Sequence, residues 1–175
     1  PKEDVFECWA DAHFSGNWSK IDAEFDVSTE RSRTGVLMKF ASCSLYWMSK
    51  MQSEVALRTT EAEYIALSQS LREVAPLLRM YEDTIDLGLN EKRAPPKIYC
   101  TVFEDNSGAQ ELAKAPKLRP RTKHINVKYH HFIKSIDDSK FRLQAVSSEE
   151  QQADIFMKPL PTTIFLGLRI KVMGK

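Results

Sequence analysis

Glu61-Ala62-Glu63-Tyr64-Ile65-Ala66-Leu67 is the stretch on which the reading of this chain turns. It opens a helical pattern in which Leu67, Leu71, Val74 and Leu78 recur at spacings of three and four and so share one buried stripe. One turn back from Leu67 the stripe reaches Glu63. A carboxylate at the head of an apolar face is costly unless a metal or a positive partner meets it there. The plainer alternative is a first-turn acid turned to solvent and favoured by the helix dipole. The segment alone leaves both open.

Outward from that helix, the chain of 175 residues has room for one domain with a real core, and its composition is that of a soluble globular protein. The formal net charge of +1 excludes a general polycation. The charge is nevertheless uneven: between Glu111 and Asp137 stand seven Lys or Arg, three of the four His and no acid. So one-sided a run favours a polyanionic partner over a merely solvated face. Cys8, Cys43 and Cys100 sit singly in apolar runs without a CxxC pair, which predicts buried thiols in a reducing, intracellular setting. No apolar run is long enough to span a membrane, and Pro1-Lys2-Glu3-Asp4 is no signal sequence. The missing initiator Met suggests a piece of a longer polyprotein.

Upstream, Val5 to Asp11 reads as a strand ending on an acid, and residues 12–33 as polar and irregular. Thr34 to Phe40 and Ser44 to Met48 form a hairpin joined by Ala41-Ser42-Cys43. Thr59 or Thr60 is placed to cap the Glu63 helix, which runs to about Asp86 with a kink expected at Pro76. Downstream come a strand, Lys97 to Phe103, and the helix starter Glu104-Asp105-Asn106-Ser107, with its helix over Ala109 to Ala115. Lys123 to Ile136 is amphipathic, with Ile125, Tyr129, Phe132, Ile133 and Ile136 on its buried side. Phe141 to Val146 reads as a strand. Ser147 and Ser148, with Glu150 and Gln151, give overlapping capping boxes for a helix through Asp154 that ends before Pro159. The order implies an α/β protein with a mixed sheet and helices on its faces.

In such a sheet Asp11 and Asp105 end two strands. If these are parallel neighbours, both acids emerge at one sheet edge, where open α/β sheets bind ligands. Glu63 and Asp154, early in two helices, would close the group. Four clustered carboxylates stay ionised together only when divalent cations neutralise them, and hard oxygen donors suit Mg²⁺ or Mn²⁺ rather than zinc. Two ions roughly 4 Å apart would activate water and stabilise the leaving oxygen in phosphodiester hydrolysis.

Seven stretches in order across residues 9–160 resemble the ribonuclease H domain of copia-type LTR-retrotransposon Pol polyproteins. They are Trp9-Ala-Asp-Ala-His-Phe-Ser-Gly16, Arg31-Ser-Arg-Thr-Gly35, Tyr46-Trp-Met-Ser-Lys50 with Gln52 and Val55, Thr60-Glu-Ala-Glu-Tyr-Ile-Ala-Leu67, Glu104-Asp-Asn-Ser-Gly-Ala109, Arg121-Thr-Lys-His-Ile125 and Ala153-Asp-Ile-Phe-Met-Lys-Pro-Leu160. The resemblance implies a ribonuclease H-like fold: a five-stranded mixed sheet, part antiparallel hairpin and part parallel, flanked by helices on both faces. One domain is expected over the whole chain, with a core over about residues 5–160 and a tail over 161–175. It implies cleavage of the RNA strand of RNA–DNA hybrids with two Mg²⁺ (Mn²⁺ substituting), beside a reverse transcriptase polymerase domain, by a chain that is monomeric when isolated. Carried over by motif, the catalytic and metal-binding residues are Asp11, Glu63, Asp105 and Asp154.

Two departures stand out. His13 replaces the usual second acid of the first motif, which is not a ligand in ribonucleases H generally. Thr101 to Glu104 separate Cys100 from Asp105, so the register at Glu104/Asp105 is the least secure. The loop Val146-Ser-Ser-Glu149 also lacks the His of many cellular enzymes, leaving His124 as a stand-in for product release. Thr59 and Thr60 fall on minor-groove positions of the family, and Asn106 and Ser107 lie near the expected scissile phosphate. Lys50, Arg119, Arg121, Lys123 and His124 are placed to track the backbone, as is Trp47, which suits the core equally well. The rival functions are a binding or bracing domain that keeps the fold without cleavage, and an integrase core, which lacks an acid equivalent to Glu63. A zinc site of His124, His130 and His131 has poor spacing.

Overall fold

The computed structural model describes residues 6–16, 18–21, 25–89, 98–114 and 140–173. The expected helix over residues 123–136 lies outside them, and with it Arg119, Arg121, Lys123 and His124. Strands β1 (Phe6–His13), β2 (Arg33–Phe40), β3 (Cys43–Met51), β4 (Cys100–Glu104) and β5 (Phe141–Ala145) form one sheet in the order β3-β2-β1-β4-β5. β1 pairs antiparallel with β2 and parallel with β4, and β4 pairs parallel with β5. The five-stranded mixed α/β sheet is therefore as expected.

The hairpin turns on Ala41 and Ser42, whose φ angles of 49° and 69° give the pair of left-handed residues that a two-residue β2–β3 turn needs. This turn puts Cys43 at an exposed strand start, which corrects the expectation of three buried thiols; Cys8 and Cys100 are buried. A register shift at Met38/Lys39 bulges β3.

Helix α1 (Thr59–Asp86) lays the predicted stripe, Leu67, Leu71, Val74 and Leu78, against Cys8, Val36, Met38 and Val102 of the sheet. It continues through Pro76, which is exposed. Neither Thr59 nor Thr60 caps it. Arg58 is the N-cap residue, without a side-chain cap bond, and Glu61 reaches back to accept the Leu57 N–H at 2.9 Å. Helix α2 (Ser107–Lys114) packs beside α1 and starts two residues earlier than read, because Asn106 Oδ1 accepts the Ala109 N–H at 3.0 Å.

The opposite face is covered by a smaller cluster of Trp9, Leu37 and Ala153 with Phe103, in which Trp9 and Phe103 stack at 4.0 Å. The segment around Asp154 is not the α-helix expected from the serines but two 3₁₀ turns, Ser148–Glu150 and Gln152–Phe156. Ser147 makes no side-chain cap, and the Ser148 hydroxyl donates instead to Asp105 Oδ2 at 2.7 Å. Residues 162–173, expected as tail, form the third helix among the described residues, α3 (Thr162–Met173). It packs on β3 and the second 3₁₀ turn through Leu168, and its Lys171 and Val172 carbonyls accept bonds from Lys39 and Ser44. No helix among the described residues is long and apolar enough to cross a membrane.

Candidate metal centre

The parallel β1–β4 ladder ends at Trp9 and Phe103. Past that pair, backbone groups of β1 lose their strand partner on the β4 side and must be satisfied otherwise. Glu63 takes one of them: its Oε2 accepts the Ala12 N–H at 2.7 Å. Gln151 takes another, donating through Nε2 to the Ala10 carbonyl at 2.9 Å while its Oε1 accepts the Ala153 N–H. So Glu63 does not lean into solvent. It is 5% exposed, with its carboxylate turned to the end of β1.

Asp11 follows on the face that carries Trp9, and Asp105 stands just past β4, steadied by Ser148. One carboxylate oxygen from each of Asp11, Glu63 and Asp105 lies within 4.8 Å of the others. Asp154 is brought in by the second 3₁₀ turn and is buried. Its Oδ1 lies 2.7 Å from Lys158 Nζ, which stands 3.7 Å from Asp11 Oδ2. The four predicted acids thus converge, three as a compact group and the fourth through a lysine the sequence reading left without a role.

That close approach depends on Gly35, which pairs with Asp11 across β1 and β2. A Cβ there would stand 2.5 Å from Met157 Cγ and 2.9 Å from the Ala153 carbonyl oxygen, both on the segment carrying Asp154. Methionine can move aside, but backbone cannot without shifting Asp154. Gly35→Ala is expected to cost about 1–3 kcal/mol of stability, as overpacking typically does. Mn²⁺ affinity should fall by more than the unfolded fraction explains. Thermal melts beside Mn²⁺ titration of the folded fraction check this.

Glu104 is the other acid of the open Glu104/Asp105 register. As the last residue of β4 it is fully buried on the face of Cys100 and Val102, toward α1. Its Oε1 accepts the Asn106 N–H at 3.1 Å, while Oε2 is buried without a hydrogen-bond partner. The alternation of Cys100, Val102 and Glu104 carried that signal.

So many acids at one place distort their protonation. Burial, then the adjoining Asp154, Glu63 and Asp105, pushes the Asp11 carboxyl up to about 10. Burial, then the charges of Glu104 and Asp105, pushes Glu63 up to about 9, against the lowering bonds from Asp11 and the Ala12 N–H. Glu104 is raised well above the ordinary range, by burial first and by Asp11 and Asp105 after it. Lys158 is raised too: burial pulls it down, and Asp154, Asp11 and Asp105 more than offset this. Buried oxygen atoms in mutual repulsion, including an Asp11 Oδ2 that accepts no hydrogen bond, fit a hard divalent cation.

The remaining predicted residues surround this centre. Thr60 and Gly108 bring the N-termini of α1 and α2 together, since a Cβ on Gly108 would stand 3.0 Å from Thr60 Oγ1. Thr59 and Ser107 are exposed, and Asn106 is partly buried at its cap. Lys50 is exposed on β3 opposite Thr34, which in turn faces Ala12, so it lies at the sheet end of Asp11. Trp47 is 62% exposed and is not core.

No family model matches the chain. It is 35% identical over 148 residues to the retrovirus-related Pol polyprotein from transposon TNT 1-94 of Nicotiana tabacum, covering 85% of this chain and 10% of the polyprotein. It is 31% identical over 155 residues to that of transposon RE1 of Arabidopsis thaliana, covering 89% and 10%. The chain therefore spans about a tenth of the length of these curated relatives. Among solved structures, LC11-RNase H1 in complex with an RNA/DNA hybrid aligns with a TM-score of 0.53 at 17% identity, over 87% of this chain and 93% of that one.

Proposed function

Starting from a chain that is homologous to a segment of plant-transposon Pol polyproteins and has the ribonuclease H fold, we propose that it hydrolyses the RNA strand of RNA–DNA hybrids. The observation that carries this is the convergence of Asp11, Glu63 and Asp105 within 4.8 Å at the end of two parallel strands, with Asp154 beside them. Asp11, Glu63, Asp105 and Asp154 would hold Mg²⁺ or Mn²⁺, two ions in the family scheme. Bound there, such ions supply an activated water and charge stabilisation for phosphodiester cleavage.

The chain's own residues set up the rest. Glu63 is aimed by the Ala12 N–H, Asp105 by the Ser148 hydroxyl, and the Asp154 turn by Gln151 bound to the Ala10 carbonyl. These bonds fix the carboxylates before any substrate arrives, so little reorganisation is left for the reaction. The paired N-termini of α1 and α2, with Thr59, Thr60, Asn106 and Ser107, offer polar groups for the 2′-hydroxyls and phosphates by which hybrid-shaped duplexes are read. The partner is an RNA–DNA hybrid, in the context of a polymerase domain of the same polyprotein.

The deciding experiment is incubation of a labelled RNA–DNA hybrid with the chain and Mg²⁺, with EDTA, double-stranded DNA and single-stranded RNA as controls. Mg²⁺-dependent shortening of the RNA strand in the hybrid alone is expected. Tight hybrid binding without cleavage would leave the bracing role in its place.

The basic run supplies affinity rather than chemistry. Arg119, Arg121 and Lys123 changed together to Ala should weaken hybrid binding and flatten the plot of log affinity against log salt by about two to three units, as fewer counterions are released. Titrations across a salt series check this; an unchanged slope means the segment faces away from the substrate.

A further inference from the structure

Lys158 stands in the acidic centre, and the mechanism above gives it nothing to do. It sits on the turn that follows Asp154, its N–H bonded to the Asp154 carbonyl at 3.3 Å. From there its ammonium bridges two acids on different elements, 2.7 Å from Asp154 Oδ1 and 3.7 Å from Asp11 Oδ2. The compact triad of carboxylate oxygens is made by Asp11, Glu63 and Asp105 and does not include Asp154. The centre is thus divided: among the described residues, Lys158 meets Asp154 and the near side of Asp11, and no ion pair is made by Glu63 or Asp105.

We propose that Lys158 is a positioning residue whose ammonium holds the second cation place, between Asp11 and Asp154, until a divalent ion displaces it. This rests on the metal-centre reading given above and adds an order of filling to it. A divalent ion at the triad meets three acids, of which Asp11 alone has the ammonium beside it. An ion between Asp11 and Asp154 must first move the ammonium out, and it meets repulsion until that side chain has swung away. With 32% of its side chain exposed and four methylenes to pivot on, Lys158 has a path to solvent. The chain then takes one ion readily by itself and the second only at high concentration.

Mn²⁺ binding to the hybrid-free protein, followed by electron paramagnetic resonance of the free ion, tests this in wild type, Lys158→Gln and Lys158→Arg. Wild type is expected to bind one ion tightly and a second far more weakly. Lys158→Gln should bind the second at least about tenfold tighter, and Lys158→Arg should behave as wild type. A second-ion affinity unchanged in Lys158→Gln overturns the proposal while leaving the metal centre intact. Absence of any Mn²⁺ binding in wild type overturns both. Should Lys158→Gln fail to fold, amine labelling of wild type read by mass spectrometry decides. Labelling of Lys158 should stay low with one equivalent of Mn²⁺ and rise severalfold at saturating Mn²⁺. A flat response overturns the proposal.

Discussion

Asp11→Asn and Glu63→Gln should each reduce hybrid cleavage by more than about 100-fold, since even outer-sphere partners of a metal cost 10–100-fold when lost. The same changes should raise the melting temperature of the metal-free protein. Both outcomes follow from one geometry. Asp11 and Glu63 are buried within reach of each other and of Asp105, so ionising either carries an energetic cost that a proton or a bound cation relieves. The amide in Glu63→Gln keeps an oxygen for the Ala12 N–H, so the backbone at the end of β1 keeps its partner. Turnover near wild type in either variant would remove that residue from the site.

The sign of the pH dependence is set by the same groups. Asp11 is raised to about 10 and Glu63 to about 9, from ordinary carboxylate values near 4. A carboxyl whose folded pKa is raised gives its full stability below the unfolded value and loses it as pH climbs through the folded one. Metal-free protein should therefore lose stability steadily between about pH 4 and pH 10, and saturating Mg²⁺ should flatten the decline. Asp11→Asn should make it shallower without metal, with Glu63 carrying the remainder. Melting curves at several pH values, with and without EDTA, check both; stability rising with pH in metal-free wild type contradicts the account.

The sheet was legible because its signals were local. Apolar β-forming runs marked all five strands, and the Leu67-Leu71-Val74-Leu78 stripe announced α1 and the face it buries. Glu63 was legible as an anomaly on that stripe and through its motif, and the structure explains its burial through a backbone N–H on another element that lacks a strand partner. What escaped the sequence depended on competition between partners. Ser148 fits a capping box, yet its hydroxyl goes to Asp105, and Gln151 opens the Asp154 turn instead. Cys43 lies in an apolar run, but the turn at Ala41 and Ser42 leaves it on the surface. Helix α3 carried no periodic stripe, since Ile164, Phe165, Leu166 and Ile170 are all partly or largely exposed around it. Lys158 was visible at four residues from Asp154, a helical ion-pair spacing, but nothing local said that Asp11 would complete its site.

Asp105→Asn is expected to abolish Mg²⁺-dependent cleavage, whereas Glu104→Gln should leave most of it. The two acids are adjacent, and neighbours along an extended strand point to opposite faces. Glu104 follows Cys100 and Val102 into the core under α1, where it is fully buried and its Oε1 holds the Asn106 N–H. Asp105, beyond the strand, brings an oxygen within 4.8 Å of Asp11 and Glu63 and is oriented by Ser148. Glutamine at 104 keeps an oxygen for the Asn106 N–H, so the turn carrying Asp105 survives. It also removes one of the charges pressing on Glu63, so metal-free Glu104→Gln should melt higher than wild type. Asp105→Asn, by contrast, takes a charge from the triad itself and should weaken Mn²⁺ binding along with cleavage. Two mild phenotypes would mean that neither acid holds a metal. A dead Glu104→Gln beside an active Asp105→Asn would move the ligand by one residue, to the buried Oε2 of Glu104 that has no partner. Cleavage assays, Mn²⁺ titrations and melts on the two single variants together separate these outcomes.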